Sequence, residues 1–213
     1  MKSLSFKEIR GLLLKYNIPF CPTEIVNSKE DAIKIASKFG YPVVLKISSI
    51  EVLHKTDLGF VKTGIIDEKS LISAWESIVK LIKDKKVKTE GVLVQKELIG
   101  IEIVLGMKRN FQFGPVLMFG IGGVLVEILK DITFRIAPVK EKDVRQMFKE
   151  IKGEKLLNGY RGSKPVDKNK LVKLTISLSK LSLAENNIEE IDFNPVIVNE
   201  KGAWIVDARF FVK

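Results

Sequence analysis

The feature that most constrains the fold is a change of hydrophobic rhythm near Gly91. Before it, apolar residues recur by turns at helical spacing and in short β-branched runs. Beyond it, the apolar runs "VLVQKEL", "IEIVLGMK", "GPVLMFGIGG" and "VLVEIL" follow one another, separated only by short polar or glycine breaks. An alternation followed by a run of strands predicts an α/β (α+β) chain of two subdomains, residues 1–90 and 91–213, the second built on an antiparallel sheet.

Within the first part, Phe6, Ile9, Leu12, Leu13 and Tyr16 mark a helix that stops at Asn17. Ser28 stands where an N-cap belongs, ahead of "KEDAIKIASKFG", and Gly40 closes that second helix. "YPVVLKIS" and "VKTGII" read as strands, followed by a helix over about 68–84. In the second part, helices are expected from about residue 140 and from about 166, the latter with Leu171, Leu174, Leu178 and Leu181 on one face. The chain closes with "IEEIDFNPVIV" and "GAWIVDARF", two strands joined by a turn at "NEKG".

With 46% apolar residues, 213 residues can build a packed core. The balance of 36 basic against 26 acidic residues gives a formal charge of +10, which suits nucleic acid, an anionic surface or phosphorylated small molecules. The lysines are spread through helical stretches, and no arginine-rich, aromatic-interleaved patch tracks a nucleic-acid backbone, so nucleic acid is not the expected partner. Cys21 has no second cysteine to pair with, which excludes a disulfide framework and fits a reducing compartment. No apolar run approaches the roughly 20 residues needed to cross a bilayer, and the first residues lack a signal-peptide core. A cytoplasmic protein without membrane association is expected.

Four places carry possible chemistry. Lys46 stands inside the apolar strand "PVVLKIS", where its ammonium needs an anion or a path to water; a snorkelling edge-strand lysine is the plainer alternative. Gly122 and Gly123, in "FGIGG", leave backbone N–H groups open to a phosphate, or else form a bulge or tight turn. On facing strands, Asp192, Asn194 and Asp207 can converge, and their hard oxygens suit Mg2+; turn-capping is the alternative. His54, the single histidine, lies in the polar stretch "LHKTDLG", where it is either a nucleophile towards phosphorus or a hydrogen-bonding loop residue.

The segments "PVVLKISSIEVLHKTDLGFVKTGI", "GMKRNFQFGPVLMFGIGGVLVEILKDITFRIAPV", "LLNGYRGSKPVD" and "IEEIDFNPVIVNEKGAWIVDAR" together resemble the ATP-grasp (beta) subunit of the ADP-forming acyl-CoA synthetases, the archaeal-type acetate:CoA ligases related to succinyl-CoA synthetase. The resemblance implies an ATP-grasp fold holding ATP or ADP with Mg2+ between two subdomains. It also implies a reversible reaction in which acyl-CoA, ADP and phosphate give the acid, CoA and ATP. It makes Lys46 a phosphate ligand, sets adenine against "VLVQKEL" with Gln95, Lys96 and Glu97, and puts Glu102 near ribose or phosphates. Arg135 becomes a phosphate contact, although an exposed structural arginine fits as well. Asn194 and Asp207 match the Mg2+ ligands, Asp192 the acidic residue that orients a phosphohistidine, and His54 a second phosphoryl carrier. Phe60 departs from the pattern, which has a second glycine there. The CoA-binding alpha subunit would be a separate chain in a hetero-oligomer of paired subunits. A carboxylate–amine ligase and a non-catalytic nucleotide-binding regulatory subunit are the alternatives.

Overall fold

The computed structural model describes residues 1–52, 58–123 and 130–213. It divides into two compact units, Cys21–Leu98 and a larger one formed by Met1–Phe20 with Ile99–Lys213. The predicted strand "VLVEIL", residues 124–129, lies outside the described residues. Among those residues no helix is long and apolar enough to cross a membrane.

The smaller unit contains β2 (Thr23–Val26), α2 (Lys29–Phe39), β3 (Val43–Ser48), β4 (Val61–Ile65), α3 (Glu68–Lys85) and β5 (Gly91–Lys96). Its four strands pair in the order β2-β5-β3-β4, all antiparallel. As expected, Ser28 caps α2, its side chain accepting the N–H of Asp31, and Gly40 terminates the helix at φ +73°. Asp67 caps α3 in the same way through Ser70 N–H. Alternate residues Val43, Leu45 and Ile47 on β3 and Val92 and Val94 on β5 bury against Ala32, Ala36, Leu71 and Ile78 of the two helices. Phe60, the departure from the family pattern, is fully buried in this core.

The larger unit contains β1 (Lys2–Ser3), α1 (Phe6–Lys15), β6 (Ile101–Asn110), β7 (Gly114–Ile121), β8 (Ile132–Ile136), α4 (Glu141–Glu150), α5 (Glu154–Leu157), α6 (Lys168–Ala184), β9 (Ile188–Asn199), β10 (Gly202–Ile205) and β11 (Ala208–Val212). A seven-stranded antiparallel sheet runs β1-β11-β9-β6-β7-β8, with β10 also paired to β9. One face is covered by α1, α4 and α6. Leu171, Leu174, Leu178 and Leu181 of α6 and Val144, Met147 and Phe148 of α4 pack there on Ile103, Leu105, Leu117, Phe119, Ile191 and Phe193.

Two expectations need correction. "VLVQKEL" does not join the second-half sheet: it is β5, inserted between β2 and β3, so the division falls at Leu98 and not at 90. Gly91 marks the start of that strand because a Cβ there would lie 2.8 Å from the Val26 carbonyl oxygen at φ +145°. The first helix, counted with residues 1–90, belongs to the larger unit, since Ile9 and Leu13 enter its core. The second correction concerns "GAWIVDARF", which is two strands. Pro195 on β9 has no N–H to give to a ladder. The neighbour breaks opposite it, β10 pairing beyond Pro195 and β11 before it.

Candidate active site

That break builds the site. On the other side of β9, the register with β6 shifts between Ile103 and Leu105, where Asn194 and Pro195 oppose Val104 alone. This is a bulge, a device that re-aims side chains. Its effect shows in burial: before it the residues turned to the helices are Ile191 and Phe193, after it Val196 and Val198. Asp192, two residues before Asn194, points the other way, to the face the helices leave open. Phe193 is fully buried, its ring 5.8 Å from that of Phe210, and anchors the register, because a slip of one residue would send Asp192 into the core. Truncating Phe193 to Ala should cost about 3–5 kcal/mol. Chemical denaturation of the Phe193→Ala chain measures it.

Asn194 donates its N–H to the Asp207 carbonyl at 3.2 Å, and Val206 N–H returns to the Pro195 carbonyl at 3.0 Å, so Asn194 and Asp207 are direct neighbours across the break. Asp192 stands opposite Arg209 on β11 and opposite Gly106 on β6. Gly106 presents no side chain, and a hollow of about 210 Å³ opens there, lined by Gly106, Lys108, Met118, Phe134, Glu190 and Asp192. Burial pushes the Asp192 carboxyl above its ordinary 3.8; Arg209 opposes the shift, while Asp207 and Glu190 add to it. Glu190 is paired with Lys108 at 3.3 Å, and Arg209 Nε lies 3.9 Å from Asp207 Oδ2. The structure therefore brings Asp192, Asn194 and Asp207 together as expected, with Arg209, Glu190 and Gly106 as members the sequence reading missed. The signal was available for Arg209, which follows Asp207 by two residues in "VDAR".

Four residues further up β6, about 13 Å at 3.3 Å per residue, Glu102 meets the glycine pair. Gly122 donates its N–H to the Glu102 carbonyl at 2.6 Å, and a Cβ on Gly122 would stand 3.0 Å from Glu102 Cβ. A Cβ on Gly123 would stand 3.4 Å from the Glu102 carboxylate. Glycine at 122 thus reflects the close approach of two strands.

Arg135 does not belong here. It alternates on β8 with Phe134 and Ile136, which are exposed on the open face, so its own side chain faces α4. Its guanidinium donates to Glu150 Oε1 at 2.6 Å and to the Phe134 carbonyl at 2.8 Å. The guanidinium, with the Thr133 hydroxyl, holds the Glu150 carboxyl down at about 2. A folded value below the ordinary 4.5 means that the pair stabilises the fold above about pH 4.5 and loses that contribution as pH falls towards 2. Glu150→Gln should accordingly lower Tm at pH 7 and have no effect at pH 2. Arg135→Met should leave nucleotide affinity unchanged by calorimetry.

In the smaller unit, Lys46 lies on the face of β3 opposite to α2 and α3, between Leu93 and Val61, and is 5% exposed. The side chains of the three residues expected around adenine hold strand ends together. Gln95 Nε2 donates to Thr23 Oγ1 at 2.7 Å, Lys96 Nζ to the carbonyls of Gly40 and Tyr41 at 2.6 and 3.1 Å, and Glu97 accepts the Gly64 N–H at 3.2 Å. The Cys21 thiol donates to the Lys96 carbonyl at 3.1 Å, and burial pushes it up to about 12 against the charges of Lys46 and Lys96. It is a buried group held in the thiol form. His54 lies outside the described residues.

A sequence profile of the ATP-grasp domain matches residues 1–212. The chain is 38% identical over 208 residues to the acetate–CoA ligase [ADP-forming] I subunit beta of Pyrococcus furiosus, covering 96% of this chain and 90% of that one. It is 44% identical over 201 residues to the acetate–CoA ligase [ADP-forming] I of Archaeoglobus fulgidus, covering 93% of this chain but only 29% of that longer protein. Among solved structures, acetyl-coenzyme A synthetase 1 of Ca. Korarchaeum cryptofilum, in complex with coenzyme A and Ca-AMPCP, superposes with a TM-score of 0.94 at 39% identity, covering 100% of this chain and 94% of that one. A second structure of that protein, with coenzyme A and Mg-AMPPCP and a phosphohistidine segment pointing towards the nucleotide-binding site, gives a TM-score of 0.86 at 37% identity, covering 100% and 93%.

Proposed function

Because the chain belongs to the ATP-grasp family, and within it to the beta subunits of ADP-forming acetate–CoA ligases, we propose that it exchanges a phosphoryl group between Mg2+-bound ADP or ATP and a phosphohistidine on a CoA-binding alpha subunit. The observation that carries this reading is the bulge that puts Asp192, Asn194 and Asp207 on one open sheet face.

Asn194 and Asp207 offer adjacent hard oxygen donors, a set that fits Mg2+ when phosphate oxygens and water complete the shell. The ion supplies neutralisation of the phosphate charge between donor and acceptor. Lys46 is a cation suited to a nucleotide phosphate, and Glu102 with Gly122 and Gly123 suits the ribose or phosphate side. Asp192 accepts the N–H of the phosphohistidine's other ring nitrogen and fixes its orientation. The P–N bond then breaks with its electron pair left on the imidazole, and an oxygen of the ADP β-phosphate bonds to phosphorus. Where His54 acts as a second carrier, its ring nitrogen is the first to bond to phosphorus as the donor P–N bond breaks, and the ADP β-phosphate oxygen then displaces His54, which keeps the electron pair of the second P–N bond. In the full reaction acyl-CoA, ADP and phosphate yield acid, CoA and ATP, and the acyl chemistry belongs to the alpha subunit.

The purified chain should bind Mg-ADP in calorimetry yet make no acyl-CoA from acetate, CoA and ATP until a CoA-binding subunit is added. Synthesis of acetyl-CoA by this chain alone would overturn the half-enzyme reading.

A further inference from the structure

We propose that Arg209 is a positioning residue for phosphoryl transfer, acting through the two carboxylates on either side of it. This rests on the function proposed above. Arg209 is the cross-strand partner of Asp192, and its Nε stands 3.9 Å from Asp207 Oδ2. One side chain therefore adjoins both the residue assigned to the phosphohistidine and a residue assigned to the metal. Its side chain is 30% exposed and that of Asp207 23%, against 76% for Lys108, another cation on this face. Arg209 is the more enclosed of the two, and enclosure strengthens its field at both carboxylates.

The arrangement answers a physical problem of the site. Asp192 and Glu190 stand two residues apart on one face of β9, and Asp207 lies across the break from them, so three like charges are gathered there. Lys108 compensates Glu190 by direct pairing. For the remaining two, a planar guanidinium with five donors can face two carboxylates at once, whereas an ammonium is a point charge on a flexible stem. Arg209 thereby fixes the separation between the nucleotide-holding and the histidine-orienting carboxylates, and misplacement on the scale of 1 Å is enough to slow such a transfer.

The test is single-turnover transfer of 32P from a phosphorylated CoA-binding subunit to Mg-ADP, in the complex of both chains. For Arg209→Met the expected result is a rate constant at saturating ADP reduced at least tenfold, half-saturation by ADP changed less than threefold, and a Tm lowered too little to unfold the chain at the assay temperature. Arg209→Lys should fall between Met and wild type. In the double variant Arg209→Met with Asp192→Asn, the loss should be smaller than the product of the two single losses, because the two act through one another. A rate within twofold of wild type for Arg209→Met, a loss matched by unfolding at the assay temperature, or losses that multiply in the double variant would each overturn the proposal. If the wild-type complex transfers no label, the proposed function itself fails, which separates the two outcomes.

Discussion

Asp192→Asn should reduce phosphoryl transfer from the alpha subunit to ADP by about 100-fold or more, the range typical of losing a positioned acid or base, while the fold is not weakened. The two parts of this expectation come from one observation. Asp192 is a carboxylate largely withdrawn from water, beside Glu190 and Asp207, and its acid form is favoured by that burial. A folded value raised above the ordinary 3.8 contributes stability only at low pH, and the contribution is lost as pH rises through the folded value. At pH 7 the metal-free chain therefore carries a charge that folding disfavours, and the neutral, isosteric Asn removes it. Tm of the metal-free variant at pH 7 should be equal to or above that of wild type. A variant that loses transfer and also melts several degrees lower would make Asp192 a structural residue. An equal rate of transfer would remove it from the chemistry.

Asp207→Asn should act at a different step. Replacing a charged oxygen ligand by an amide forfeits an interaction of about 2–3 kcal/mol, which corresponds to roughly 30- to 150-fold in affinity. The loss should appear in ADP binding in the presence of Mg2+ and be much smaller in its absence. Folding should suffer little, because the contact that shapes the break runs through the Asp207 backbone carbonyl, which Asn keeps. Calorimetry with ADP at fixed Mg2+, repeated in chelator, decides it. If affinity is the same for both chains with Mg2+, Asp207 is a turn residue.

Both predictions depend on a geometry that the sequence indicated only in part. The motif "EIDFNP" followed by "VDAR" identified Asp192, Asn194 and Asp207, because paired strands put alternate residues on one face whatever the fold around them. The surroundings of Arg135 were not legible in this way. On β8 it is the partner of Leu117, on the face that packs against α4, and nothing in "FRIAP" says which face of an edge strand will be covered. Nor were those of Lys96, whose ammonium is taken up by two carbonyls of the Gly40–Tyr41 turn, contacts more than fifty residues away in sequence.

Local signals decided the helices. Ser28 and Gly40 bound α2, and the leucine stripe of α6 is buried, because caps and helical periodicity act within a few residues of one another. The composition and the β-branched runs likewise determined that strands would form and that a core could be built. What only the tertiary structure decided is where the strands pair and where pairing fails. β5 is inserted between β2 and β3, although its residues look like the first of the later run, since strand partners are chosen by long-range packing. The bulge at Asn194 and Pro195 is of the same kind. A proline in a strand announces a missing donor, but the break in "GAWIVDARF" and the shift on β6 arise only when β10, β11 and β6 compete for the two edges of β9. The sequence determined which side chains could do the chemistry; the pairing of distant strands determined that Arg209 would stand between two of them.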